Sequence, residues 1–513
     1  MKTDSQSQRG SATWRVITSL AAASLVLSIV VSAGPGKLAA VADPIGGMTS
    51  TGVSAAAVDA PGLTSFKSLT LNTVGGAIQA VVYDGNSLLI NDTATTTLTG
   101  FTAPASGPIT ARTTYVVVDG QCGAAVVMEP CVDGRPTGGS GDSLTFQASG
   151  GPLTSKGPDA WRGHDDCLWA TPGGDTCLWD TRTEDVSVGF PPSASSATVS
   201  VTSAAASDGT DCINHEAQVL AVGPTTAFLF GGYQTDGVGL RNRDKATVTI
   251  AGIPPGSVVV EADLYWNILN ASNPGPAMQL NSTPVSGKMF KQGGDPCWDS
   301  GSWAFRADVT SIVAPIGNGV FTLSGYPTGG DGAGLQIGRN PWDFGSRTPM
   351  AEGATLIVFY GQVSTPGKVT GGGYIDALTG QLVGDATLLI NSGPSMGNKA
   401  NFGFVMSFNA GDPSPTGNLL YDDKVFPERV KATSIDLLVI SDGMCGINTH
   451  FEARITAEEN GTAGQTFRVF GDDCAEPGSS PGSGPDMFGI EKLPLGYTAA
   501  GPLVGGNIQV HKS

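Results

Sequence analysis

Two stretches carry the Gly-x-Ser-x-Gly spacing that can present a serine nucleophile on a sharp strand-to-helix turn. They are Gly393-Pro394-Ser395-Met396-Gly397 and Gly478-Ser479-Ser480-Pro481-Gly482. The first follows an apolar run, Ala386 to Ile390, but the chain goes on as a further strand, Asn401 to Phe408, where the elbow needs a helix. The second sits in a Gly/Pro/Ser loop with no strand ahead of it, so both read as loops. A general base would have to be one of four histidines, His164, His215, His450 or His511. Nothing in the sequence brings any of them to a serine, as an acyl-transfer site requires. No catalytic residue is assigned.

Oxygen ligands are better represented. Asp472, Asp473 and Glu476 cluster in one turn, GDDCAEPG, and Asp422 and Asp423 form a second acidic pair. Calcium is the cofactor such carboxylates and nearby loop carbonyls would suit, given six to eight oxygens. The bland alternative is a solvated acidic turn beside Cys474, and no EF-hand spacing favours calcium. Tryptophans offer a different chemistry, stacking on sugar rings. Trp169 and Trp179 lie in the cysteine-bounded stretch DDCLWATPGGDTCLWD and are the candidate ligand-binding residues. Packing pinned by disulfides is the other reading of that stretch. Trp266 falls on an apolar strand face and reads as core.

The bulk numbers bound the partners. With 45 acidic against 27 basic residues the net charge is −18, which repels nucleic acid and anionic membrane surfaces. Lys2, Arg9 and Arg15 precede the apolar run Val16 to Ala33, the layout of a secretory signal peptide, with cleavage after Ala33 or Ala42. An uncleaved membrane anchor is the competing reading of residues 1–42, and it is the chain's one route to a membrane. Export places the protein outside the cytoplasm, secreted or on the cell surface. There, eight cysteines without zinc-ligand spacing point to disulfides.

The elements that must position these residues are strands. Gly 73 is about twice the usual ~7% share, and 14% charged is well under the usual ~25%. No sustained helical spacing follows the N-terminus. After a polar linker, 43–64, strands are expected at Ser68–Thr73, Ala77–Tyr83, Ser87–Leu89, Thr95–Thr99 and Ile109–Val118. The plainest stretch is KATVTIAGIPPGSVVVEADLYWNIL, 245–269: strand, Pro-Pro-Gly turn, longer strand. Alternation puts Val258, Val260, Ala262, Leu264, Trp266 and Ile268 on one face and Glu261, Asp263 and Asn267 on the other, as in a half-buried strand.

That plan recurs. Residues 95–120 repeat 246–269, 143–155 repeat 278–290, 182–188 repeat 305–313, 197–209 repeat 319–332, and 215–222 repeat 352–360, all in one order. Two β-domains of one type, 65–222 and 223–363, are expected. The second copy, through GIPPGSVVVEADLYW, FRADVTSIV, GNGVFTLSG and EGATLIVFY, resembles uncharacterised β-sandwich domains of bacterial and archaeal surface proteins. That resemblance implies a sandwich and an extracellular place, and no reaction.

Residues 367–511 resemble the post-COAP domain. KVTGGGYID, KANFGFVMSFNAGDPSPTGNLLYDD, VKATSIDLLVISD and the terminal GGNIQVH carry the likeness. Departures are an insertion-like loop at 380–397 and the two cysteines Cys445 and Cys474. Those two flank successive strands and are expected to bond to each other; Cys122 with Cys131 is the second suggested pair.

The expectation is an exported all-β protein of tandem β-sandwich-like domains, three in number, with short strands and disulfides. Its expected role is structural or adhesive and non-catalytic, with a cell-surface glycan or protein as partner. A carbohydrate-binding protein using the tryptophan loops is the alternative, and a secreted hydrolase the third reading.

Overall fold

The computed structural model describes residues 63–90, 92–118, 143–157, 179–203, 212–240, 244–294, 301–329, 348–376, 399–424, 426–474, 485–494 and 496–512. The N-terminal apolar run, most of the linker, both Gly-x-Ser-x-Gly stretches, His164, Cys122, Cys131, Trp169 and Glu476 lie outside them.

The protein is all-β. Its first unit runs β1 (Thr64–Thr73), β2 (Gly76–Ile90), β3 (Thr93–Thr99), β4 (Ile109–Val118), β5 (Ser143–Ala148), β6 (Leu153–Lys156), β7 (Trp179–Asp185), β8 (Ser196–Thr202) and β9 (Cys212–Pro224). A five-stranded sheet, β1-β2-β9-β4-β7, faces a four-stranded one, β3-β8-β5-β6. Leu98, Phe146 and Val199 of the small sheet meet Val81, Tyr115 and Leu220 of the large one in a single core.

The second unit repeats this wiring. It comprises β10 (Gly232–Gly239), β11 (Lys245–Ile250), β12 (Val258–Leu269), β13 (Gln279–Leu280), β14 (Thr283–Pro284), β15 (Lys288–Gly294), β16 (Gly301–Asp308), the one-turn helix α1 (Thr310–Val313), β17 (Gly319–Ser324) and β18 (Met350–Gly361). Its sheets are ordered β10-β18-β12-β16-β15 and β11-β17-β13-β14. Without β1 and β15, the strands of the two units correspond one to one in chain order and in sheet order. The register agrees too. In β9 a bulge leaves Glu216 unpaired where β4 passes from Val116 to Val117. In β18 a bulge leaves Glu352 unpaired where β12 passes from Asn267 to Ile268.

The two large sheets pack outer face to outer face. Leu69, Val82, Val116 and Val219 from the first meet Tyr233, Tyr265, Ile357 and Phe359 from the second. Four layers result, and the middle two are covered on both sides. Every residue of β18 is therefore buried, and β12 is buried from Ala262 to Leu269. This corrects the half-buried reading of 258–269. Asp263 and Asn267 lie on the face opposite the sandwich core, as the alternation predicts, but that face meets the other unit instead of water. A bulge at Val260 also shifts the start of the strand by one residue, so Val259 enters the core while Val258 is exposed.

The third unit is not a sandwich but a closed barrel. Its strands are β19 (Gly367–Asp376), β20 (Lys399–Phe408), β21 (Thr416–Asp423), β22 (Glu428–Gly443), β23 (Gly446–Glu459), β24 (Thr462–Asp472), β25 (Met487–Leu493) and β26 (Thr498–Lys512). Each pairs antiparallel with the next, and β26 returns to β19, which removes both free edges. Eight strands leave an interior that side chains can fill. Phe402 stacks on Phe488 at 3.8 Å between centroids, with Phe404, Phe451 and Tyr421 around them. Outside, Lys368, Asn401, Asn418 and Lys431 are exposed. Apolar inside and polar outside is the reverse of a transmembrane barrel.

The barrel docks on the β1–β2 turn. Leu437 and Val439 pack on Val74, Arg454 Nη1 donates to the Thr73 carbonyl at 2.8 Å, and Gln362 Oε1 accepts from the Val74 amide at 2.8 Å. Gly75 has no room for a side chain there, since a Cβ would lie 2.2 Å from the Thr226 carbonyl oxygen.

Candidate functional site

Polar side chains concentrate where the two large sheets meet, and the duplication explains how they come together. The bulged Glu216 and Glu352 are both fully buried, and they interact as like charges. Asn267 of β12 hydrogen-bonds through Nδ2 to Glu216 Oε1 and, at 2.8 Å, to Ser302 Oγ. Asn214 approaches the same carboxylate oxygen at 3.4 Å. Burial pushes the Glu216 carboxyl up to about 8, with Asn267 opposing and Glu352 adding to the rise.

A second cluster lies at the β1 side of the joint. Lys67 of β1 sends Nζ between Asp263 and Glu261 of β12, at 2.7 and 2.9 Å from the two Asp263 oxygens and in direct contact with Glu261 Oε1. Lys67 and Asp263 are both buried, and the Asp263 side chain is 2% exposed. Burial raises the Asp263 carboxyl to about 7; the Lys67 ammonium pulls it down, and Glu261 and Asp308 push it up. Beside this cluster Arg306 pairs with Asp84 and lies over the Phe66 ring.

Trp179, a candidate glycan contact, belongs to the joint. It is fully buried, its ring lies where a Cβ on Gly353 would fall, and its Nε1 donates to Thr355 Oγ1 at 2.8 Å. A ring in that place cannot stack on a sugar. Trp266 is core, as read from the sequence, and stacks on Phe305 at 5.7 Å.

The acidic turn before the C-terminal strands is also committed to the fold. Asp472 Oδ1 accepts from His450 Nδ1 at 3.1 Å and from the Met444 amide at 3.3 Å. Asp473 Oδ2 accepts from the Val510 amide at 2.9 Å. The buried Asp486 accepts from the amides of Cys474 and Ile508 at 2.8 and 2.7 Å. These carboxylates tie the ends of β23 to β26 together, and among the described residues no three His, Cys, Asp or Glu side chains gather as a metal group. Asp422 and Asp423 end β21, where Asp423 accepts from the Tyr497 hydroxyl at 2.6 Å.

Register sets Ser441, His450 and Asp472 in one row across β22, β23 and β24, a Ser-His-Asp order. The imidazole cannot serve as a base there. Nδ1 faces Asp472, and Nε2 faces Glu452 at 3.3 Å instead of a serine. Burial alone would lower its pKa, but the two carboxylates outweigh that and hold it at about 9, so His450 is a cation near neutrality. Arg468 extends the row, bonding Glu452 at 2.5 Å and Glu491 at 3.4 Å. The other described histidines offer no base for this row either. His215 is buried beside Tyr115, with burial lowering its pKa to about 3, and His511 is exposed on β26.

Cys445 and Cys474 form the disulfide read from the sequence. It pins the β22–β23 tip, where Met444 and Ile447 are 76% and 79% exposed, to the end of β24. Replacing both cysteines with serine opens a loop of sequence separation 29 and is expected to cost about 3 kcal/mol. The check is thermal unfolding of the double variant, with the barrel transition falling and the sandwich transition unmoved.

Sequence reasoning missed the Lys67, Glu261 and Asp263 trio, because Lys67 is 196 residues from Asp263. The available signal was two acids on one strand face with no local cation. No family profile, curated protein or solved structure matches the chain.

Proposed function

We propose that the chain is an exported protein of the cell surface or its surroundings with a structural, adhesive role. The observation that carries this reading is the fused four-layer block. Its charged and aromatic side chains, Lys67, Glu216, Asp263, Trp179 and Arg306 among them, are drawn into the joint between the two units. A joint of this kind transmits load between units instead of letting them move separately, since inter-domain surfaces that are large and buried suppress relative motion. The barrel is attached to this block at the β1–β2 turn, through Arg454 and the 362–366 connection. The leader expected at residues 1–42 and the resemblance of the second unit to β-sandwich domains of surface proteins support an extracytoplasmic place.

The test is fractionation and attachment of the full chain. In cells expressing it, the protein is expected in the envelope or extracellular fraction, and beads coated with it are expected to hold to cells or to immobilised surface glycans or proteins under flow. A monomer that attaches to none of these surfaces, or that turns over a hydrolase substrate, overturns the reading.

A further inference from the structure

Lys67, Glu261 and Asp263 are arranged for more than an ion pair. Two strands from different units deliver them, and each strand is bulged at the point of delivery. In β1 the register skips Phe66, and Lys67 follows in step with Leu69 and Leu71 on the face toward the joint. In β12 it skips Val260, and Glu261 follows two residues from Asp263 on the same face. β1 has no counterpart in the second unit, so the lysine comes from a strand outside the duplicated set. The Nζ atom is held almost equally from both Asp263 oxygens, which centres it on the carboxyl carbon. Phe66, at 4.7 Å from Nζ to the ring centroid, and the Tyr265–Phe290 pair lie among the apolar groups of the joint.

We propose that Lys67 and Asp263 become joined by an intramolecular amide bond, formed with Glu261 as the proton-transfer group, so that the joint between the two units is closed covalently. In water an ammonium and a carboxylate stay ionised and unreactive toward each other. Out of water both charges are costly, and the neutral amine and neutral acid become accessible. The pKa of about 7 at Asp263 agrees with an acid that holds its proton.

The step balances without an oxidant or activating reagent. Glu261 takes one proton from the Lys67 ammonium, and the freed Nζ lone pair adds to Cγ of the protonated Asp263 carboxyl. This addition requires the carboxyl to turn about its Cβ–Cγ bond, because attack comes from above its plane. Nitrogen then carries two protons. One leaves with the Asp263 hydroxyl as water, relayed through Glu261, and the other stays on the amide nitrogen. The C–O bond breaks, the C–N bond remains, and Glu261 ends as a neutral acid. Fixing the reactants at contact distance supplies the effective concentration that a bimolecular condensation lacks, and a positioned carboxylate supplies the proton transfers.

The inference goes beyond the surface role proposed above and does not depend on it. The deciding measurement is the intact mass of the purified, reduced full chain, followed by a tryptic map. The wild-type chain is expected to be lighter than its sequence by one water, and the map is expected to yield one branched peptide containing both Lys67 and Asp263. Glu261→Gln and Lys67→Arg are each expected to restore the full sequence mass and release linear peptides. Circular dichroism identifies a folded variant, and if Lys67→Arg does not fold, Glu261→Gln carries the comparison. A wild-type chain at full mass overturns the proposal. So does a water loss with Lys67 and Asp263 in separate linear peptides.

Discussion

Trp179→Ala is expected to lower stability by about 3 to 5 kcal/mol, the range for truncating a fully buried aromatic side chain. The ring fills the space over Gly353 and bonds Thr355 across the joint, so its loss opens a cavity between the units and leaves the Thr355 hydroxyl with Thr181 alone. Trp179→Phe keeps most of the ring and loses the N–H, and is expected to cost about 1 to 2 kcal/mol. Urea unfolding of the three proteins checks the order. Had Trp179 been an exposed sugar platform, alanine would leave stability within about 0.5 kcal/mol, as surface substitutions do. Unchanged midpoints would mean that the joint does not close over this ring.

The contrast between Trp179 and Trp266 shows what local sequence can and cannot say. Trp266 alternates with Leu264 and Ile268 on one strand face, and that periodicity alone places it in a core. Trp179 begins β7 beside a stretch rich in cysteine and glycine, and only a strand of the other unit, β18, decides that it is buried. The same division runs through the fold. The strands β3, β4, β11 and β12 were legible because Pro and Gly turns bound them and alternation marks their faces. The duplication was legible because it preserves order. The four-layer packing was not, because a second covering on a strand's polar face leaves its period unchanged. Closure of the barrel was equally hidden, as it depends on β26 meeting β19 across the whole unit.

The polar face of β12 followed the alternation yet was misread as solvated. Asp263 and Asn267 look like surface residues until Lys67 and Glu216 are placed opposite them. Composition gave a hint. In a chain with 14% charged residues, an acid pair on a long apolar strand is unusual enough to need a partner. The residues singled out for chemistry by type, His450 and Asp472, are mutually satisfied, whereas Lys67, which meets Asp263 across the joint, carries no local signal.

Glu216→Gln is expected to make stability less dependent on pH between about 5 and 8. The carboxyl has an ordinary value of 4.5 and is pushed up to about 8 by burial. Between those values the folded state keeps a proton that the unfolded state has released. The native state therefore binds more protons, and stability falls as pH rises through this window. The contribution is fully present below about 4.5 and lost above about 8. It amounts to a few kcal/mol, at about 1.4 kcal/mol for each unit of difference. His450, raised to about 9, slopes the same way, so only the difference between wild type and variant isolates Glu216. Glutamine keeps an oxygen for Asn267 Nδ2 and cannot ionise beside Glu352. Urea midpoints at pH 5 are expected to be close for the two proteins, with the variant ahead by a few kcal/mol at pH 8.5. Parallel curves across that range would show that the carboxyl titrates normally and that the bulged glutamate reaches water.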